Sequence, residues 1–365
     1  MKLKRCSRAI LTVVATLVML GAAANAKDGV YRVIHKFGCN LDGCGPFGVL
    51  AAAKNGDLYG TASAGGGTAD YGTVFKLTAP RTRGEAWTFA VLYDFTGGNG
   101  GEQPESLVLG TDGNLYGVDL TQTIFQLKRP ASHNGVWKYS ALYTLNQGSD
   151  GANVLGNVVF DAKGNLYGAT GSGGDPSCNR GYGCGTVFEL KRPTQKGGHW
   201  VYSVLYTFTG QPDAAEPWAG VTFDQKGNLY GTTYAGGAFD WGAVYLLGHP
   251  TKEGQAWTET VLYSFDPSND DIIRPEGPVT IDESGNLYGT TVSGGDLNCS
   301  GGFGCGVVFE LSPQAGGTWT YTNLYSFQDG NDGAVPRGNI VIDSKGDVYS
   351  TTTAGGGVTP GPPSG

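Results

Sequence analysis

The chain has 365 residues and carries 24 Lys and Arg against 32 Asp and Glu, a formal net charge of −8. A negative chain is repelled by nucleic acid and by anionic lipid surfaces, so we expect no nucleic-acid partner. Glycine is unusually frequent, at 63 residues. Regularly spaced Leu, Val, Tyr, Phe and Trp nevertheless argue against a disordered, low-complexity chain, because they can form a core.

Residues 1–26 have the pattern of a secretory signal peptide. Basic residues open the segment, a nearly uninterrupted apolar run follows, and Ala24-Asn25-Ala26 fits a cleavage site. The apolar run is too short for a spanning helix, although an uncleaved membrane anchor is the alternative. We predict a secreted, periplasmic or cell-surface protein with no transmembrane segment after cleavage. Cleavage would remove four positive charges and shift the net charge from −8 to −12.

Residues 27–357 are predicted to form one repeat domain. Gly-Asn-Leu-Tyr-Gly stands at four places in this range, with near copies at two more. The spacing of these copies indicates a solenoid, a propeller or an array. Each unit holds the same four short apolar segments, which have the composition and the flanking turn residues of β-strands. The central residue of the motif recurs at Leu58, Leu115, Leu166, Leu229, Leu287 and Val348.

Four strands per unit and about six units predict an all-β protein, a β-propeller of about six four-stranded blades. The last unit supplies only its first two strands, Ile340–Ile342 and Val348–Thr353, while the N-terminal Val30–Phe37 matches the fourth-strand pattern. We therefore expect an incomplete last blade that the N-terminal strand closes, with an open array as the alternative. Residues 358–365 are predicted to be a disordered Pro- and Gly-rich tail.

The repeated Gly-Asn follows an Asp between the first and second strands, as in Asp161–Asn165 and Asp224–Asn228. An Asp carboxylate that accepts backbone N–H groups, followed by a Gly that can take a positive φ, is typical of a hairpin turn. The spacing superficially resembles a calcium loop, but it lacks the further carboxylates and the closing Glu. We therefore interpret the motif as scaffold rather than as a binding site.

Six cysteines follow the predicted signal peptide and fall into three close pairs. An even number of cysteines in an exported chain favours disulfides. Zinc is the alternative, although its usual Cys spacing is tighter. The pairs are Cys39 with Cys44, Cys178 with Cys184, and Cys299 with Cys305.

With these motifs the chain resembles the GloVer tandem-repeat (choice-of-anchor) family of exported bacterial proteins and, more loosely, NHL-type propeller repeats. The resemblance implies a secreted or surface protein of unsettled function and supplies no catalytic signature. The sequence differs in showing no anchor helix or sorting signal after the repeats. The residues that carry the resemblance are Gly227–Thr233, Gly285–Thr291, Gly72–Phe75, Gly185–Phe188, Leu262–Phe265 and Leu324–Phe327.

Loops from strand four to the next strand one, and loops from strand two to strand three, should share one face, here called the top face. Aromatic residues precede the Gly before strand three, and acidic residues recur after strand four. Rings beside carboxylates suit carbohydrate. Alternatively, each ring packs under its own loop, or the carboxylates hold calcium, which is the one cofactor we consider. The candidate ligand-binding residues are Tyr71, Tyr182, Trp241, Phe303, Asp270 and Asp271.

The sequence thus favours an exported binding or cell-surface interaction module, with an extracellular glycan, an envelope polymer or an envelope protein as partner. Two alternatives stay open. One is a polysaccharide-active hydrolase or lyase that uses carboxylates near the propeller axis. It requires a compact group of carboxylates with perturbed pKa values. The other is a pure structural scaffold with neither feature.

Overall fold

The computed structural model describes residues 34–355 except 39–40, 68, 83–84, 133–134, 196, 253, 270–273, 300–301, 330–331 and 344–345. The predicted signal peptide, the tail, Cys39, Asp270 and Asp271 lie outside the described residues. Within the described part, the regular elements are 26 strands and three 3-10 helices, Gly98–Gly100, Asn179–Gly181 and Pro267–Asn269. No helix there is long and apolar enough to cross a membrane.

Five antiparallel sheets contain four strands each and correspond to the first five repeats. They consist of β1 (Cys44–Ala52), β2 (Leu58–Ala64), β3 (Thr73–Thr78) and β4 (Thr88–Asp94); β5 (Pro104–Leu109), β6 (Leu115–Asp119), β7 (Thr123–Lys128) and β8 (Lys138–Thr144); β9 (Val159–Phe160), β10 (Leu166–Thr170), β11 (Thr186–Lys191) and β12 (Val201–Thr207); β14 (Thr222–Phe223), β15 (Leu229–Thr233), β17 (Ala243–Gly248) and β18 (Thr258–Ser264); and β19 (Thr280–Ile281), β20 (Leu287–Thr291), β21 (Val307–Pro313) and β22 (Trp319–Ser326).

Three two-stranded sheets complete the described strands. Two of them join an extension of a second strand to the loop that leads into the same repeat. The prediction of one continuous strand over Val348–Thr353 is therefore wrong, because the chain leaves its first partner after Tyr349 and then pairs with that loop. The pairs are β13 (Ala214–Ala215) with β16 (Ala235–Gly236), β23 (Ala334–Pro336) with β26 (Thr352–Ala354), and β24 (Val341–Ile342) with β25 (Val348–Tyr349).

The chain is all-β and propeller-like, and in each four-stranded sheet the strands are hydrogen-bonded in sequence order. First strands of neighbouring repeats lie side by side. The hydroxyl of Thr222 donates to the carbonyl of Val279 at 2.6 Å, and Thr280 donates to the carbonyl of Ile340 at 2.5 Å. These contacts show that the first strands lie where neighbouring repeats adjoin. The number of blades and the closure of a ring remain predictions.

The described end of the N-terminal segment packs on the first sheet as a preceding fourth strand would. The ring of Phe37 lies 5.0 Å from Phe75 and 5.7 Å from Phe89. Phe95 makes the matching contacts one repeat later, at 5.5 Å to Phe125 and 6.0 Å to Tyr139. Residues 34–38 belong to no sheet, so the position of the aromatic residue agrees with the prediction and the strand pairing is untested.

The core lies mainly between adjacent sheets, where third-strand residues are the most deeply buried. Between the first two sheets, Phe95 and Leu107 pack with Phe125 and Leu127. Fourth-strand tryptophans cover these clusters from the side and are partly buried, as expected of blade core rather than of a ligand platform. They include Trp137, Trp200, Trp257 and Trp319.

Candidate functional site

The repeated Gly-Asn-Leu-Tyr-Gly turns are held by their own side chains. The carboxylate of Asp161 accepts the backbone N–H groups of Lys163 and Asn165, each at 2.8 Å. The side-chain carbonyl of Asn165 in turn accepts the N–H of Arg192 at 2.9 Å, which ties the turn to the end of strand three. Gly164 takes a φ of +83°. The donors that fill the Asp carboxylate support the prediction that the motif is a turn.

The last Gly of the motif has a packing role in each of the five four-stranded sheets. A Cβ added there would lie 2.3–2.7 Å from the ring of the aromatic residue on strand three, closer than atoms can approach. The glycine therefore lets that ring lie flat on the second strand. In the sixth repeat Ser350 stands at this position. The glycines are Gly60, Gly117, Gly168, Gly231 and Gly289.

Two of the predicted disulfides are present. Cys178 is bonded to Cys184 and Cys299 to Cys305, with Cα–Cα distances of 5.6 and 5.5 Å. Both close loops between strands two and three. Among the described residues, a compact group of potential metal ligands forms where Asp329 approaches Cys299 and Cys305. Because both sulfurs are in a disulfide they are not thiolates, so this group does not support zinc.

The four predicted aromatic residues occupy two kinds of environment. Tyr182 and Phe303 are 75 % and 65 % exposed on their loops. Tyr71 and Trp241 are half-buried and pack against the core clusters of their repeats. The four rings therefore do not form one uniform platform. Tyr182 lines a surface depression of the third repeat.

Several of the acidic residues that follow strand four close their own loops. The hydroxyl of Tyr143 donates to Asp150 at 2.6 Å, and Tyr325 donates to Asp332 at 2.8 Å. The backbone N–H of Thr209 donates to Asp213 at 2.8 Å. These carboxylates are structural, which leaves fewer of them to bind a ligand on the top face than the sequence pattern indicates.

A different segment collects polar and aromatic side chains on this face. We call the three residues at or shortly before the start of each repeat's first strand the lead-in segment. The middle residue is Pro in five repeats and Val in one. The segments are Gly45–Phe47, Gln103–Glu105, Asn153–Leu155, Glu216–Trp218, Arg274–Glu276 and Val335–Arg337.

Most lead-in segments share a backbone geometry, and among the described residues three of them also bond to the preceding repeat. Their first residue has a positive φ in five repeats, among them Gln103 at +48°, Glu216 at +59° and Val335 at +56°. The N–H of Glu216 donates to the carbonyl of Cys184 in the preceding repeat at 2.8 Å. Left-handed backbone at residues other than Gly is uncommon and tends to occur at functional sites. The sequence signal for these segments is the Pro that recurs in five of the six.

Side chains of three successive lead-in segments come together as an arginine–aromatic cluster. The ring of Trp218 stacks on Tyr234 with 3.9 Å between centroids. The guanidinium of Arg274 lies 4.4 Å from the centroid of Tyr234 and donates to its hydroxyl. From the next repeat, Arg337 pairs with Glu276 at 2.9 Å. The cluster is defined by Glu216, Trp218, Tyr234, Arg274, Glu276 and Arg337.

Both carboxylates of the cluster are electrostatically coupled to Arg274. Burial raises the pKa of Glu216, and Asp240 adds to the rise, while Arg274 opposes it. Burial also raises the pKa of Glu276, while the charges of Arg337 and Arg274 lower it and so oppose part of the rise. The side-chain amide of Asn179 donates to Glu216 at 2.8 Å. The cluster thus joins two carboxyl groups with raised pKa values, two guanidinium groups and a stacked aromatic pair.

A second pair of carboxyl groups with raised pKa values lies in the second repeat. Asp119 is fully buried and accepts from the N–H of Thr123 at 3.2 Å, from Thr121 and from the hydroxyl of Tyr139. In three other repeats a Thr hydroxyl accepts the equivalent N–H, as Thr170 does from Thr186. Asp119 therefore replaces a structural Thr. Burial, and then Asp119, raises the pKa of Glu105.

A family profile of the Gloeobacter/Verrucomicrobia repeat matches residues 23–196 and 177–361. The two segments together cover almost the whole chain, so the chain belongs to this family and the resemblance drawn from its motifs is confirmed. Among curated proteins, no sequence matches.

Solved structures with a similar fold have distant sequences. PorZ, described as a surface component of the type-IX secretion system of Porphyromonas gingivalis, is 16 % identical over 88 % of this chain and 40 % of its own, with a TM-score of 0.51. A virginiamycin B lyase from Staphylococcus aureus is 13 % identical over 85 % and 78 %, at 0.49. A gluconolactonase from Xanthomonas campestris is 12 % identical over 86 % and 84 %, at 0.48. At sequence identities this low, the comparisons show a similarity of fold alone.

Proposed function

We propose that this member of the Gloeobacter/Verrucomicrobia repeat family is an exported binding module that holds an extracellular glycan at the arginine–aromatic cluster. The observation that carries the proposal is the stacked Trp218–Tyr234 pair beside Arg274 and Glu216. A half-buried ring offers its face to the apolar C–H patches of a sugar, while amide, carboxyl and guanidinium groups around it bond the hydroxyls.

The loop aromatics form a second possible glycan surface within the same proposal. Tyr182 and Phe303 are exposed as a sugar platform requires, and the first lies beside Asn153 and Ser172 in the depression of the third repeat. The contacts of Asp270 and Asp271 lie outside the described residues. Separate variants of the cluster and of the loops decide between the two surfaces.

The test is a glycan-array screen of the full exported chain, with and without calcium, followed by titration of the best ligand. We expect Trp218→Ala to weaken binding at least tenfold and the matched Tyr182→Ala/Phe303→Ala variant to weaken it less than threefold. The reverse order would move the site to the loops. If the folded wild type binds no glycan, the scaffold interpretation takes the place of this proposal.

A carbohydrate-active enzyme is the second candidate, and the raised pKa values of Glu216 and Glu276 favour it. A carboxyl group whose pKa is raised can act as a general acid toward a glycosidic oxygen. New reducing ends released from a bound polysaccharide, lost in Glu216→Gln or Glu276→Gln, would support this candidate. Binding without release of reducing ends favours the module.

A further inference from the structure

We infer that the glycan bound at the arginine–aromatic cluster carries an isolated carboxylate, as a uronic acid residue does, and that Arg274 receives it. This inference rests on the proposed function and adds the chemical class of the ligand. It comes from what holds the guanidinium of Arg274, from the neighbouring Arg337, and from the charge of the whole chain.

The guanidinium of Arg274 is fixed in place by aromatic groups. It lies over Tyr234 at 4.4 Å and over Trp241 at 5.2 Å, and it donates to the hydroxyl of Tyr234. In the part of the chain that the structure describes, none of the four ion pairs involves it. An arginine already held against two rings loses little further rotamer freedom when its remaining N–H groups meet a carboxylate side-on.

Arg337 supplies a second guanidinium from the next repeat. Its side chain is 47 % exposed and is held by Glu276 at 2.9 Å. The lead-in segments of the fifth and sixth repeats are neighbours, because a Cβ on Gly277 would lie 3.4 Å from the carbonyl oxygen of Arg337. A carboxylate at Arg274 would therefore have a second cation nearby, and Glu276 is already paired with that cation.

The aromatic pair places the sugar ring beside this charge. Trp218 stacks on Tyr234 with an interplanar angle of 9°, and Arg274 lies over the same Tyr234. Because Tyr234 contacts both Trp218 and Arg274, a sugar bound across the exposed edges of these side chains would have the guanidinium within reach of a substituent. This spacing suits a substituent on the sugar, such as the carboxylate at the end of a uronic acid, better than it suits a free anion.

The negative charge of the whole protein further limits which acidic glycans can bind. At a net charge of −8 the chain repels a densely charged polyanion at long range. At the cluster, Arg274 and Arg337 offset the two neighbouring carboxylates, so this long-range repulsion is weakened there. The ligand we expect is therefore a largely neutral glycan with single acidic residues or an acidic chain end.

The test compares a glucuronate-containing oligosaccharide with a neutral oligosaccharide that has glucose at the same position, titrated against the full exported chain. We expect the acidic sugar to bind at least tenfold more tightly. Arg274→Gln should remove this preference and leave weak binding of both sugars. Arg274→Lys should keep part of it, because it keeps the charge and loses the planar fork.

Three outcomes separate this inference from the proposed function. Equal binding of both sugars, unchanged in Arg274→Gln with a native circular dichroism spectrum, overturns the inference and leaves glycan binding intact. If neither sugar binds, both the inference and the proposed function are overturned. In Asp270→Asn/Asp271→Asn we expect less than a threefold change in the preference. A tenfold gain would mean that carboxylates of this chain occupy Arg274, which also overturns the inference.

Discussion

The Gly-Asn-Leu-Tyr-Gly turns, counting the two near copies, and the lead-in segments each occur six times. What repeats is side-chain chemistry in the turns and backbone conformation in the lead-in segments. The turns of the third to fifth repeats use the same side chains in the same contacts, as Asp161 with Asn165 and Asp224 with Asn228 do. Five of the six lead-in segments repeat a backbone shape and three also bond to the preceding repeat, while the residues on either side of the central residue differ. We conclude that repeated side chains mark scaffold, and that varied side chains on a repeated backbone mark where a ligand can be selected.

The largest effect should follow a change in the motif itself. A Cβ on Gly289 would lie 2.3 Å from Cζ of Phe309, so we expect Gly289→Ala to lower the free energy of unfolding by about 3 kcal/mol through overpacking. The control is Gly248→Ala, whose Cβ would meet its nearest atom, the carbonyl oxygen of Thr258, at 3.6 Å. Denaturant unfolding measures both, and equal losses would contradict the packing role of the motif glycine.

Within the scaffold, the fourth repeat departs from its neighbours at a buried position, where it should make stability depend on pH. Glu259 stands where Tyr139, Tyr202 and Tyr321 stand in other repeats, and its Oε1 is buried without a hydrogen bond in the described structure. Burial, and then the nearby charge of Asp213, raises the pKa of Glu259 to about 7.

The sign of this dependence follows from proton binding. The folded chain keeps the proton of Glu259 at pH values where the unfolded chain, with a pKa near 4.5, has lost it. Stability should therefore fall as pH rises from about 4.5 to 7, by at most about 3 kcal/mol, and then level off. Other titratable groups near this carboxyl are Tyr206 and Tyr245.

Glu259→Gln, and the pair Glu259→Tyr with Tyr245→Phe, which restores the residues found in other repeats, should flatten this part of the profile. Thermal unfolding across pH 4 to 8 measures it. Parallel profiles for wild type and variants would show that Glu259 is not the group that titrates.

A smaller effect is expected at a single turn. Asp161→Ala removes the acceptor for the N–H groups of Lys163 and Asn165 and should lower the free energy of unfolding by about 1–2 kcal/mol. Lys163→Ala, which changes an exposed side chain in the same turn, should have little effect. Added calcium should stabilise neither variant nor the wild type through this turn. A calcium-dependent gain that Asp161→Ala abolishes would restore the calcium-loop interpretation.

The scaffold could be predicted from the sequence because its signals are local. Turn chemistry and strand composition gave the four strands of each repeat and the turn between the first two. The spacing of Cys178 and Cys184 indicated their disulfide. The arginine–aromatic cluster could not be predicted in this way, because Trp218, Arg274 and Arg337 are far apart in sequence. They come together only where neighbouring repeats adjoin. The pairing of Val348–Thr353 was missed for a similar reason, since part of it depends on a loop rather than on a strand.

The smallest expected effect tests the other side of the comparison, the backbone of the lead-in segment. Gln103 is exposed and has a φ of +48°, a conformation that disfavours L-residues by about 1–2 kcal/mol and that glycine adopts freely. Glycine also adds about 0.5–1 kcal/mol of unfolded-chain entropy, so Gln103→Gly should leave stability unchanged or raise it by less than about 1 kcal/mol. The control, Ser140→Gly at an exposed position of β8, should lower stability by about 0.5–1 kcal/mol. If both substitutions lower the stability equally, the left-handed backbone of Gln103 carries no strain that glycine relieves. The occurrence of this backbone in five of the six segments would then no longer set them apart from ordinary loops.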